Sequence, residues 1–344
     1  MLSDSPTKRN HNPGVAVFRC LLMWLIVLHH SICHTKFGSD MRWLPVFLLT
    51  IPAVDGFLSI SGWYGVRLKW GKVVDLAGQI AFYAVLFSGL SIILARMGIV
   101  EHPVVAVGNA WYGIAYLALL VLSPLLNAGL ESLISGGMAK GFMGAFAVLF
   151  IVDWASRAVG LGFHVNGFGS HTCMTFIFVY CMVYLHRRVY GALSLRSAGC
   201  VGAVAFLLYL VAFFARAYCI GGGASVLQVV EKWGFYNCPL VIACAYSAFS
   251  IFLHLKVPAV LCRILTFLSP SIFAVYLIHD ASPVMKQLWV YKPVYAFGPI
   301  LGSICVFAFC LVIDIVVRRP WWGIVTRIAS SSGAIGMGDP KDNG

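Results

Sequence analysis

The sequence predicts an all-α, polytopic integral membrane protein with about ten transmembrane helices, and three observations carry that reading. Of its 344 residues 60% are hydrophobic and only 10% charged, and the mean hydropathy is +0.90, so the chain has too little polar surface to coat a soluble globule of its size. Apolar runs of nearly twenty residues recur along almost its whole length, each long enough to cross about 30 Å of hydrocarbon as a helix. Little remains between the runs, so no folded soluble domain is expected.

Charges, Gly and Pro mark where each run stops. The first predicted span, 14–34, begins after Pro13 and ends before Lys36, and the second, 43–66, lies between Arg42 and Arg67. The third, 75–95, stops at Arg96; the fourth, 108–127, follows His102 and Pro103; the fifth, 142–160, follows Lys140. The sixth, 171–186, ends on Arg187 and Arg188, and the seventh, 197–215, is held between Arg196 and Arg216. The eighth, 236–254, lies between Lys232 and Lys256, the ninth, 267–286, ends on Lys286, and the tenth, 297–317, runs up to Arg318 and Arg319.

An even number of spans puts both termini on one side. With that count the loops on the terminal side carry fifteen Lys and Arg and the opposite loops eight, so the positive-inside rule predicts cytoplasmic termini. The net charge of +12 then reflects topology and contact with anionic lipid headgroups, and nucleic acid is not an expected partner. Residues 1–13 read as a cytoplasmic tail, 14–319 as the transmembrane domain, and 320–344, rich in Gly, Ser and Asp, as a disordered cytoplasmic tail. The first apolar run carries Arg19, His29 and His30 and has no A-x-A-like cleavage site, so it reads as a retained helix and not a signal peptide. Eleven singly scattered cysteines without C-x-x-C spacing read as small packing residues.

Ionisable residues inside the apolar runs are the functional candidates, because an unpaired charge in hydrocarbon costs several kcal/mol (about 2.5 or more). Arg19 and His30 lie eleven positions apart, which on a helix places them on one face about 16 Å apart, while His29 points about 80° away. In the second run Pro52 and Gly56 weaken the helix around Asp55, and irregular backbone at that depth is tolerated only around a cavity. Asp55 is expected to meet Arg19 or His30, and a purely structural Asp–Arg pair is the plainer reading. Ser59 and Ser61 lack the G-x-S-x-G elbow and read as packing residues. His34 falls one turn beyond His30, but no H-E-x-x-H pattern or nearby acid completes a metal site, so no metal is expected.

Arg19 and His30 with ten residues between them, followed by VDGFLSISGWYG over 54–65, resemble the first two helices of the acyltransferase family 3 membrane proteins. WYGIAYL at 111–117, SPLLN at 123–127, YNCP at 236–239, SIFAVYLIHD at 271–280 and LW at 288–289 follow the order of that family's polysaccharide-acetylating branch. The resemblance covers about 14–319. It implies a membrane-bound O-acyltransferase that takes an acyl group, usually acetyl, from cytoplasmic acyl-CoA and places it on a hydroxyl of a surface polysaccharide or its lipid-linked precursor. No cofactor beyond that donor is implied, and the implied location is a bacterial inner membrane. One departure concerns mechanism: many members carry a glutamate in a middle helix where this chain reads WYGIAY over 111–116, without an acid.

On this reading His30 is the general base or a transient acyl carrier, since an imidazole with an ordinary pKa near 6.5 is largely neutral at pH 7. Arg19 is expected to hold the phosphates or thioester oxygen of acyl-CoA. Asp55 would orient His30 or balance Arg19, and His279, Trp111 and Tyr112 are expected on the acceptor, with helix termination for His279 and an aromatic belt for the other two as plainer explanations. The rival reading from the same polar residues is a transporter or flippase of a lipid-linked sugar, with no enzymatic step; it would require paired broken helices in matching halves, of which the sequence shows one convincing break, at Pro52.

Overall fold

The structure, a computed structural model, describes residues 12–104, 110–159, 172–221, 223–231, 235–286 and 290–322. Most of both predicted tails, and the 288–289 dipeptide, lie outside these. Among the described residues every regular element is helical: α1 (Pro13–Cys33), α2 (Leu44–Thr50), α3 (Ala53–Tyr64), α4 (Trp70–Arg96), α5 (Trp111–Ser135), α6 (Ala139–Ala158), α7 (Cys173–Tyr190), α8 (Leu195–Ile220), α9 (Val226–Val230), α10 (Pro239–Leu253), α11 (Ala259–Leu268), α12 (Ile272–His279), α13 (Pro283–Met285) and α14 (Lys292–Ile313). Eight helical stretches among them are long and apolar enough to cross a bilayer. The chain is therefore a helical membrane protein.

The bundle is organised around α1, which packs on α3, α10, α12 and α14. Its start is fixed by Asn12, whose side-chain oxygen accepts from Gly14 N at 2.9 Å and caps two otherwise unpaired donors with Pro13 in the first turn. The Asn12 amide also donates to Leu253 O at 3.0 Å, tying the beginning of α1 to the end of α10. Large apolar side chains on α4, α6 and α8 face outward, for example Val85, Leu149 and Leu207. That is the inverse of a water-soluble protein and suits helices that face lipid.

The predicted break at Pro52 is present: α2 ends at Thr50, α3 begins at Ala53, and Pro52 contributes no N–H to bridge them. Two further interruptions are present that the sequence reading did not single out. Ser269–Ser271 separates α11 from α12 with a 3₁₀ turn, and Gly298, at φ 80°, kinks α14 ahead of Pro299. A φ of that sign strains any residue with a Cβ, so the kink requires glycine.

The break between α11 and α12 is held shut by the far end of the chain. Asp314, fully buried at a π-helical turn, accepts from Tyr83 Oη at 2.7 Å, from Ser271 Oγ, and from Arg318 Nε at 2.5 Å. Arg318 donates to Pro270 O at 3.1 Å and Arg319 to Phe267 O at 2.6 Å, supplying carbonyls that the broken helix leaves without an intrahelical donor. Asp314 is thus a junction between α4, α14 and this break.

Close helix contact at α3 and α7 depends on Gly62, where an added Cβ would lie 2.8 Å from both Tyr180 O and Val183 Cβ. Gly62→Val should therefore destabilise the fold by about 1–3 kcal/mol through overpacking, read as a lower unfolding temperature in detergent, whereas Gly89→Ala, inside α4 with open space around it, should not lower that temperature.

Candidate functional site

Arg19 and His30 do share one face of α1, and a cavity of about 220 Å³ lies against that face. Arg19 and His30 both line it, together with Met23 and Ile26 between them on the same helix. The opposite wall is aromatic: Trp111, Tyr112 and Tyr116 from α5, Tyr236, and Phe273 and Tyr276 from the broken α11–α12 segment. The Trp111 and Tyr236 rings stack at 5.6 Å and the Tyr112 and Tyr116 rings are nearly parallel at 6.2 Å. Trp111 and Tyr112 thus stand where a bound molecule would meet them.

A second cavity, about 370 Å³, adjoins the first, sharing Arg19, Ile60, Ser61, Leu76 and Tyr116 with it, and is also lined by Asn12, Gly65 and Lys72. Arg19 stands at the junction of the two. Among the described residues no carboxylate lies within 4.0 Å of its guanidinium, so the cation faces the cavities without an ion pair. Ser59 and Ser61 donate to Asp55 O and Phe57 O one turn back, which is helix back-bonding of the packing kind.

At the other end His30 sits in a cluster assembled from two distant segments. Its Nδ1 is 2.9 Å from His279 Nε2 and 3.7 Å from Asp280 Oδ1. His279 Nδ1 is 2.6 Å from Val275 O, a carbonyl that can only accept. With both rings neutral, this leaves one arrangement of protons. His279 donates from Nδ1 to Val275 O, its Nε2 accepts from His30 Nδ1–H, and His30 Nε2 keeps a bare lone pair.

Asp280 accepts from Lys286 Nζ at 2.5 Å, and His34 Nε2 is 3.5 Å from its Oδ1. His30, His34 and Asp280 place one ligating atom each within 4.8 Å of one another. The acid absent from the sequence around His30 and His34 is therefore supplied by Asp280, 250 positions further on.

Two expectations need correction. Asp55 is fully buried and neither carboxyl oxygen has a hydrogen-bond partner among the described residues, so it bonds to neither Arg19 nor His30. The reason is its position in the first turn of α3, from which it reaches neither side chain; the carboxylate beside His30 is Asp280. His279 is fully buried and lines neither cavity. It stands behind His30 because α12 packs against α1 and ends there, so it contacts His30 and not an acceptor. Asp280 belongs to the functional cluster. The only sign of it in the sequence is an adjacent His-Asp pair closing an apolar run, and nothing local pairs that run with the first.

The vicinal histidines separate cleanly. His29 is buried, its Nδ1 3.0 Å from Thr50 Oγ1 and its ring stacked on Phe47 at 4.4 Å, so it ties α1 to α2. No protein family, curated protein or solved structure matches the chain in the comparisons.

The proton arrangement is directly measurable. Nitrogen-15 NMR of histidine-labelled protein at neutral pH should show His30 protonated on Nδ1 with a bare Nε2, and His279→Ala should release that preference. A wild-type His30 carrying its proton on Nε2 would contradict the assignment.

Proposed function

We propose that the protein is a membrane-bound O-acyltransferase that moves an acyl group, acetyl in the simplest case, from acyl-CoA to a hydroxyl of a surface polysaccharide or its lipid-linked precursor. The single observation that carries this reading is a pair of adjoining cavities that share Arg19, the first of them also lined by a histidine whose second nitrogen is tied off. The motif resemblance from Arg19 to Gly65 points the same way.

The chemistry follows from the residues. The acceptor hydroxyl gives its proton to His30 Nε2 as its oxygen attacks the thioester carbonyl. The tetrahedral intermediate collapses with cleavage of the C–S bond, and the departing thiolate takes the proton back from His30. Asp280, 3.7 Å from His30 Nδ1, favours the transient imidazolium. Arg19, with Lys72 beyond it, offers positive charge to the donor's phosphates from the second chamber. The separation of about 16 Å along α1 lets an extended donor reach from one to the other.

The arrangement in the membrane belongs to the same proposal. Ten crossings result when α7, and α10 at about 22 Å long, are added to the eight longest stretches. α10 is shielded between α3 and α8, which suits its shortness. Both termini are then cytoplasmic, the second chamber opens to the acyl-CoA pool, and His30 lies in the outer half of a bacterial inner membrane.

The three interrupted spans, at Pro52, at Ser269–Ser271 and at Gly298, are the observation that favours a flippase of lipid-linked sugars. Counted through ten crossings they are the second, the ninth and the tenth, whereas a repeat of five would place the partner of the second at the seventh. The weight therefore rests on group transfer.

In sealed proteoliposomes of known orientation, labelled acetyl-CoA at the cytoplasmic face should label a glycan acceptor. His30→Ala should reduce labelling to background and His29→Ala should keep most of it, with both proteins inserted equally. Movement of a glycolipid without labelling by any acyl donor would give the case to the flippase.

Arg19→Lys keeps the charge and loses the planar fork. It should raise the KM for acyl-CoA about tenfold, the equivalent of about 1.4 kcal/mol, and leave the acceptor KM unchanged; the opposite split would remove Arg19 from the donor site.

A further inference from the structure

We propose that His30, His34 and Asp280 form a binding site for a divalent transition-metal ion of the zinc type, and that its occupancy is mutually exclusive with base action by His30. The first half stands on geometry alone; the second rests on the acyltransferase reading.

His34 Nε2 and His30 Nδ1 lie 3.5 and 3.7 Å from the same Asp280 oxygen, and the three atoms lie within 4.8 Å of one another. Ligands at about 2.0–2.2 Å around a tetrahedral zinc ion stand roughly 3.4 Å apart, so two of these edges already approach coordination spacing. The third closes by rotation of the His34 ring, which is 40% exposed. That exposure also gives the ion its way in.

Two imidazoles and one carboxylate are a donor set for zinc and its first-row neighbours and not for magnesium or calcium, which prefer oxygen. The surroundings resemble those of a metal ligand as well. His279 donates one ring nitrogen to the Val275 carbonyl and aims the other at His30 from 2.9 Å, where it is placed to serve as a fourth ligand.

Lys286 is the competitor. Its ammonium lies 2.5 Å from Asp280 Oδ1, the oxygen that faces both histidines, so it balances the carboxylate when no metal is bound and must swing away when one is. An ion on His30 Nδ1 displaces the proton shared with His279. A neutral His30 then carries its remaining proton on Nε2, and the lone pair that would accept a hydroxyl proton is gone.

The test is Zn²⁺ binding to the purified full chain in nanodiscs, measured by competition with a chromophoric chelator and requiring no substrate. Wild type should bind one equivalent. His34→Ala and Asp280→Asn should each weaken that equivalent at least tenfold, His254→Ala should leave it unchanged, and Lys286→Met should tighten it. Unfolding temperatures identify any variant that fails to fold, and His34, being partly exposed, is the variant least at risk. Equal binding by wild type and His34→Ala, or weaker binding by Lys286→Met, would overturn the site. If binding follows this pattern but Zn²⁺ leaves acetyl transfer untouched, the site stands and the exclusion of base action falls; if no transfer is found at all, the site is still judged by binding alone.

Discussion

The hydrogen bond from His279 to the Val275 carbonyl decides the proton positions of everything beyond it. A main-chain carbonyl cannot change role, so with both rings neutral His279 Nε2 accepts, His30 Nδ1 donates, and the remaining nitrogen of His30 carries no proton. The interaction is local to one turn of α12, yet it acts on a residue 249 positions away in sequence. Burial makes it binding: His279 is fully enclosed, so no water offers the ring an alternative partner.

The same need to satisfy polar groups internally explains why the broken helices are where they are. An interrupted helix in hydrocarbon exposes carbonyls and amides that must be met by protein. At Ser269–Ser271 the Arg318 and Arg319 side chains meet them. At Pro52 the Thr50 hydroxyl donates to Phe47 O at 2.6 Å where α2 ends, while Asp55, in the first turn of α3, stands apart as a buried carboxyl with no hydrogen-bond partner among the described residues.

How much of this was legible in the sequence depends on the range of the interaction. The apolar runs set the helices, eight stretches of which are long enough to cross a bilayer, although α5 and α8 run several residues past their expected ends and the predicted ninth span, 267–286, begins near the end of α11 and runs through α12 and α13. The shared face of Arg19 and His30 followed from helix periodicity alone, and Trp111 and Tyr112 do line the cavity beside them. What could not be read was any pairing between helices. Asp55 was the acid inside the next apolar run and so the natural partner for His30, while Asp280 holds that position because α12 packs against α1. His279, expected on an acceptor, stands behind His30 for the same reason.

The dependence of the α11–α12 break on residues 314–319 also orders the life of the chain. The carbonyls of Phe267 and Pro270 are synthesised some fifty residues before the arginines that will cover them. During translation that break is without its two arginine partners until residues 318 and 319 emerge. A later helix is thus the latch on an earlier one, and the cavity wall at Phe273 and Tyr276 gains its full support only after residues 318 and 319 have been made.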